Sequence, residues 1–253
     1  MQITVATINL RNSQDRWRQR RHVLIGELLN TTPDLISLQE ISFPIGQGRW
    51  IRNQLNARLP EGKRPYRLIQ KRRHHLLHGY RQGIGILTTF PVLYSDWVNL
   101  GQNGRVALRA NIELPGQKTF DFVATHLHHK HHHQEIREQQ AMLLDGWLNS
   151  ARPVPRRIIA GDFNETPNGQ AIRYMKQTYR SAYESVHGHE PLATFPTALA
   201  PTDDGWSGCL DYVFLSPTIK TVLDAQIFCN HPSAEDNTLY PSDHVGLLVT
   251  LDI

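Results

Sequence analysis

The sequence predicts an α/β protein, a sandwich of mixed β-sheets with helices on the outside. Three observations predict it. Apolar runs of strand length outnumber the helical segments. Several of those runs follow one another too closely for a helical crossover, which argues against a purely parallel sheet. The helical segments that do occur carry an apolar stripe and a polar back, so each covers a sheet from one side. The 253 residues are 40% hydrophobic and 20% charged, which suits a buried core rather than a disordered chain. No long linker, low-complexity tract or short repeat interrupts the pattern, so one domain over 1–253 is expected.

In chain order, "ITVATINL" (3–10) reads as the first strand, rich in β-branched residues. Arg16 to Asn30 follows as a helix with Val23, Leu24, Leu28 and Leu29 at helical spacing. "DLISLQE" (34–40), "GIGILTT" (83–89), "VALRANIEL" (106–114) and "FDFVATHL" (120–127) are strands bounded by Gly, Pro or Asp. Residues 134–149 place Ile136, Met142, Leu143, Leu144, Trp147 and Leu148 along a second helix. "RIIAGDFN" (157–164) is another strand. "ETPNGQAIRYMK" (165–176) predicts a helix with Thr166 as N-cap and Pro167 at the first helical position. "LDYVFLS" (210–216) and "HVGLLVTLDI" (244–253) complete the strands.

No apolar run approaches the roughly 20 residues that cross a bilayer. "MQITVATINL" lacks the basic region and cleavage site of a signal peptide, and two cysteines without a CxxC make no disulfide framework. A cytoplasmic location is the expectation. The net charge of +4 fits a polyanionic partner and fits plain solubility equally well.

Polar side chains recur where apolar strands stop. Asn9 closes the first strand, Glu40 closes "DLISLQE" and His126 sits in "VATHL". Asp162 and Asn164 follow "RIIAG", Asp211 opens "LDYVFL", and Asp243 and His244 open the last strand. Asp and Asn end strands everywhere as turn formers, so each alone means little. Glu40 is no turn residue. Asp162 and Asn164, two apart, face one side if the extended geometry persists. Together the set has the parts for phosphate-ester hydrolysis. An oxygen-rich site suits Mg²⁺, an imidazole and a carboxylate can manage a water nucleophile, and amides can donate to phosphoryl oxygens.

"TINLR", "LQE", "THL", "GDFNETP", "LDYVFLSP" and "PSDH", in this order and spacing, resemble the endonuclease/exonuclease/phosphatase superfamily from Ile3 to Leu251. Residues 15–40 further resemble its bacterial metal-dependent hydrolase branch, which shares a core with deadenylases, abasic-site endonucleases and neutral sphingomyelinases. The resemblance implies a four-layer α/β sandwich of two facing mixed β-sheets with outer helices, the active site lying at one edge. It implies Glu40 as the principal Mg²⁺ ligand, with Asn9 and, through water, Asp243; Mn²⁺ would substitute. Asp162 would orient or deprotonate the attacking water, and His244 would act on the scissile phosphate as base or as charged stabiliser. Asp211 would orient His244, while Asn164 and His126 would hydrogen-bond phosphoryl oxygens. The chain departs from the pattern at two places. His128-His129 stands where this branch often has Asp-His, and Arg11 stands where some nucleases carry an acidic metal ligand, which speaks against abasic-site activity.

The function expected is a phosphodiesterase acting on DNA or RNA, as a monomer with no protein partner and no membrane span. The alternatives are a lipid or small-molecule phosphoesterase on the same core, and a non-catalytic polyanion-binding domain. "THLHHKHHH" (125–133) invites a transition-metal reading, but no Cys or carboxylate completes a tetrahedral set, so a solvated loop ahead of the 134–149 helix is expected. "QKRRHHLLHGYRQG" (70–83) is a basic stretch, either a substrate-contacting loop or a charged hairpin. "TDDGWSG" (202–208) reads as a loop whose Trp206 either stacks on substrate or packs.

Overall fold

The computed structural model describes residues 1–73, 81–150 and 154–253. Within them twelve strands form two six-stranded sheets. The first sheet orders β11(Thr221–Phe228), β12(Gly246–Asp252), β1(Gln2–Asn9), β2(Leu35–Ser42), β4(Gln82–Thr88) and β3(Arg67–Arg72). The second orders β5(Val92–Asn99), β6(Val106–Leu114), β7(Lys118–His126), β8(Arg157–Asp162), β10(Asp211–Leu215) and β9(Arg180–Ser181).

Each sheet holds one parallel pair joined by one long helix. α1(Trp17–Thr31) links β1 to β2, and α3(Gln134–Ser150) links β7 to β8; the other pairings are antiparallel. The central strands are apolar on both faces because both faces are covered. Ile3 and Val5 of β1 meet Phe120, Phe122 and Ala124 of β7 in the core between the sheets. Their neighbours Ala6 and Ile8 turn outward onto α1 and α2(Gln47–Asn56). Val123 and Ile159 of the second sheet turn outward onto α3 and α4(Gln170–Met175). Helix, sheet, sheet and helix are therefore the four layers, as expected.

Two details differ from the sequence reading. β2 does not stop at Glu40 but runs to Ser42, and its pairing with β4 slips by one residue between Leu38 and Ile41. That is a β-bulge, with Glu40 in the left-handed region at φ 56°. Ile36, Leu38 and Ile41 all reach the outer helical core, so the extra residue frees Glu40 from the alternation. The helix read from Thr166 instead begins at Gln170 with Gly169 as N-cap, because Thr166 to Gly169 close a turn first. A Cβ on Gly169 would lie 2.2 Å from Glu165 Cδ, so the turn needs glycine there. A fifth helix, α5(Ala182–His187), packs beside β11. Of the basic stretch at 70–83, the ends belong to β3 and β4, which pair antiparallel with Arg72 opposite Gly83; residues 74–80, with Tyr80, lie outside the described residues. Both cysteines are free and buried. No described helix is long and apolar enough to cross a membrane.

Candidate active site

The two parallel pairs end at the same margin of the sandwich, and that is where the polar residues gather. The cleft there has a volume of about 510 Å³, and Asn9, Glu40, His126, Asp162, Asn164, Asp243 and His244 line it. Strands β1, β2, β7 and β8 deliver residues at or near their C-terminal ends, the usual place for sites in sheets with helical crossovers. β10 and β12 run antiparallel to β8 and β1, so their beginnings arrive at the same edge with Asp211 and the Asp243-His244 pair.

Asp162 is the centre. Its register places it opposite His126 on one side and Asp211 on the other. Asn9 Nδ2, reaching from the other sheet, donates to Asp162 Oδ2 at 2.9 Å, and the Asn164 backbone N–H donates to Oδ1 at 2.8 Å. His126 Nε2 lies 3.4 Å and His244 Nε2 3.9 Å from Asp162 Oδ2. Gly161 permits this close assembly, since a Cβ on it would sit 2.1 Å from the Thr125 carbonyl oxygen. Asn164 does not continue the strand. It turns at φ 51°, and its side-chain Nδ2 donates to the Leu127 carbonyl at 3.2 Å.

His244 is held from behind. Its Nδ1–H donates to Asp211 Oδ2 at 2.8 Å, and Thr194 Oγ1 donates to the same oxygen at 2.7 Å. Phe195 packs on the ring at 4.8 Å between centroids. Burial disfavours the imidazolium, but Asp211, Asp162 and Asp243 outweigh it and raise the His244 pKa to about 10. Burial and the facing Asp211 carboxylate push Asp162 the other way from an ordinary acid, up to about 7. His126 is neutral, because burial and then Arg105 and Arg73 press its pKa well down.

Oxygen donors suited to a hard cation are present. Glu40 accepts one hydrogen bond, from Asn12 Nδ2 at 3.2 Å, and among the described residues no basic side chain pairs with it. A carboxylate that lines the cleft without a direct ion pair is a fitting donor for a divalent cation. One ligand atom each from Asp162, Asp211 and His244 also lies within 4.8 Å of the others. Asn9 and Asp243 are more engaged. Asn9 Oδ1 accepts the Arg11 N–H at 2.9 Å, and Arg11 Nη1 pairs with Asp243 Oδ2 at 3.1 Å.

The His-rich run is a loop, exposed from His129 to His132 as expected, but not solvated throughout. His128 is buried, with Nδ1 2.6 Å from Asn103 Nδ2 and Nε2 2.9 Å from His133 Nδ1, and His129, His131 and His132 line the cleft. Trp206 also lines it and meets the His131 ring edge-on at 5.0 Å, so it packs and faces the cleft at once. Sequence reasoning missed Arg105, just ahead of β6, and took Arg73, just after β3, only as part of the basic stretch at 70–83. Both are at strand margins on the same edge, so the rule that found the acids and amides would have found them had it included cations.

Chains of known structure share the architecture. An endonuclease/exonuclease/phosphatase from Bacteroides vulgatus superposes with a TM-score of 0.78 at 22% identity, over 100% of this chain and 99% of that one. The human Nocturnin catalytic domain, solved with a bound sulfate anion, gives 0.77 at 20% identity over 99% and 93%. Truncated Caenorhabditis elegans TDP2 gives 0.78 at 15% over 100% and 98%. Among curated proteins none matches the sequence. The model of the Endonuclease/Exonuclease/phosphatase family matches residues 6–244. The chain belongs to that family.

Proposed function

We propose that the protein is a Mg²⁺-dependent phosphodiesterase, acting through one 1–253 domain on the phosphodiester bonds of nucleic acid. The observation that carries this is the Asp211–His244–Asp162 chain, buried at the head of an oxygen-lined cleft. Magnesium, or manganese in its place, held by Glu40 with Asn9 and Asp243, would polarise the phosphoryl group and offset charge on the leaving oxygen.

The side chains divide the work. Asp162, with its pKa lifted towards neutrality, accepts the proton of the attacking water. His244, kept cationic by Asp211, offers Nε2–H to the phosphoryl group and meets the negative charge that develops there. His126 is neutral and retains one ring N–H to donate to a phosphoryl oxygen. Asn164 has a second amide hydrogen beyond the one given to Leu127. Water attacks phosphorus in line with the leaving oxygen, one P–O bond forms as the other breaks, and no covalent enzyme intermediate is needed. This assigns the base role to Asp162, because a histidine already protonated cannot accept another proton.

The test is hydrolysis of single- and double-stranded DNA, RNA, sphingomyelin and chromogenic phosphodi- and monoesters, with Mg²⁺, Mn²⁺ or EDTA. Metal-dependent cleavage of nucleic acid, reduced at least about a hundredfold in a folded His244→Ala variant, is expected. Cleavage of sphingomyelin or a monoester alone would move the substrate to the lipid or small-molecule class. Activity unchanged by His244→Ala would remove the histidine from the chemistry.

A further inference from the structure

Arg105 is 1% exposed, yet among the described residues its Nε and Nη1 have no hydrogen-bond partner, and Nη2 reaches only His129 Nδ1 at 3.2 Å. No carboxylate pairs with Arg105 or with Arg73 among the described residues, and the two stretches outside them, 74–80 and 151–153, contain no Asp or Glu. Arg109 and Arg157, also buried, each leave one nitrogen unpaired but hold Asp96 and Asn149, and the two arginines buried as deeply as Arg105 are satisfied. Arg20 donates to a ring of backbone carbonyls, and Arg137 pairs with Glu165. A guanidinium holds its charge even when buried, and leaving one unpaired is strongly unfavourable. Arg73 makes this worse, because like charge and burial both oppose the cation on Arg105. Such an arrangement persists where an anion completes it.

The topology says where that anion lies. Along the second sheet the cleft margin runs Asp211 on β10, Asp162 on β8, His126 on β7, then Arg105 ahead of β6. Across from it the first sheet runs His244 ahead of β12, Asn9 on β1, Glu40 on β2, and Arg73 beyond β3; β3 and β4 face β6. With strands about 4.8 Å apart, β6 lies roughly 10 Å from β8 and 14 Å from β10. The arginine pair therefore stands behind His129, which lines the cleft, on the side away from His244, with Glu40 and Asp162 close enough to act on both the guanidinium of Arg105 and that of Arg73.

We infer that Arg105 and Arg73, with His129, form an anion subsite that takes a second phosphate of the substrate, flanking the one on which Asp162 and His244 act. The word "flanking" rests on the proposed phosphodiesterase reading; the anion site itself does not. The second phosphate could come from the next nucleotide of a strand or from the terminal phosphate of a small nucleotide, and the test separates them.

Thermal unfolding of the full chain is followed with and without inorganic phosphate, for wild type, Arg105→Met and Arg73→Met. Phosphate should raise the wild-type melting temperature, with apparent affinity reduced at least about tenfold in Arg105→Met. Without phosphate, Arg105→Met should melt at or above wild type, since an unpaired buried cation has been removed. An equal phosphate response in wild type and Arg105→Met, or a large loss of stability on making it, overturns the subsite. Should Arg105→Met not fold, Arg73→Met carries the same comparison. Made in a His244→Ala background, Arg105→Met should still lower the apparent phosphate affinity at least about tenfold, so the catalytic reading and the subsite fail separately. For substrate, kcat/KM is compared for a dinucleoside monophosphate, the same molecule with a terminal phosphate, and a longer oligonucleotide. Arg105→Met should lose at least about tenfold more on the two with a flanking phosphate than on the first. A preference for the terminally phosphorylated molecule points to a small nucleotide or strand end, and a preference for the oligonucleotide to the strand interior. Equal losses on all three would place Arg105 on the scissile phosphate and overturn the flanking assignment.

Discussion

Replacing Asp211 by Asn isolates the electrostatic part of the site with little change of shape. Asp211 is fully buried, and its Oδ2 takes the His244 Nδ1–H at 2.8 Å and the Thr194 hydroxyl at 2.7 Å. Asn keeps an oxygen for Thr194 but removes the charge facing the imidazole. A hydrogen bond to a charged group contributes about 1.5–3 kcal/mol, and 1.36 kcal/mol corresponds to one pH unit, so the pKa of His244 should fall by roughly one to two pH units. The sign follows from the raised pKa. The imidazolium is complete well below about 10 and is lost as pH rises through that value, so a lower pKa brings the loss to lower pH. Steady-state kcat/KM on a chromogenic phosphodiester, measured from pH 6 to 11, should show a wild-type alkaline limb near 10 and a variant limb displaced downward. The rate on the plateau should fall about a hundredfold or more, because the ring also loses its orienting partner. An alkaline limb left in place, with a rate within about threefold of wild type, would refute the idea that Asp211 keeps His244 charged.

Other perturbations bear on the metal and on the frame. Glu40→Gln should raise the Mg²⁺ concentration for half-activation at least about tenfold, and an unchanged titration would place the cation elsewhere. Arg137→Met strands the buried Glu165 carboxylate, which now receives Arg137 Nε at 2.9 Å and Nη2 at 3.3 Å. Urea unfolding should show a loss of about 3–5 kcal/mol, whereas a loss under about 1 kcal/mol would mean that Glu165 finds another partner. Gly161→Ala drives a methyl group against the Thr125 carbonyl and should lower stability by about 1–3 kcal/mol, with turnover falling further because Asp162 moves with it; a fully stable, active variant would show that β7 and β8 can separate freely.

The strands that were legible in the sequence and those that were not divide on a physical line. The central strands β1, β2, β4, β6, β7, β8, β10 and β12 all announced themselves as apolar runs. The ones that did not, β3, β5, β9 and β11, are the outermost strands of the two sheets. "RLIQKR" and "VLYSDWVN" are polar on at least one face, as edges are, and β9 is only two residues long. The polar site residues were legible because each interrupts a run that is otherwise buried on both faces. Glu40 was legible by type and not by position, since a bulge leaves no mark in composition. Arg105 stood in the same relation to β6 as Asp211 to β10, but basic residues at strand margins read as solvated until burial is known. Arg11 was noted as a departure, and only the fold shows that it pairs with Asp243.

The bulge in β2 has a consequence for how this cleft can be lost. One supernumerary residue carries the carboxylate of Glu40 to the cleft while keeping Ile41 on the α1 side. Deleting a single residue at Gln39 would restore unbroken alternation and leave every catalytic residue type in the chain. The glutamate would then take the place of Gln39, on the side of Ser37, which faces the second sheet and donates to the Ala160 carbonyl. Inactivity in a relative can therefore arise from a frame of spacing rather than from a changed letter, and an alignment that tolerates a gap in this strand would score as intact a protein whose cation ligand had been drawn back between the sheets.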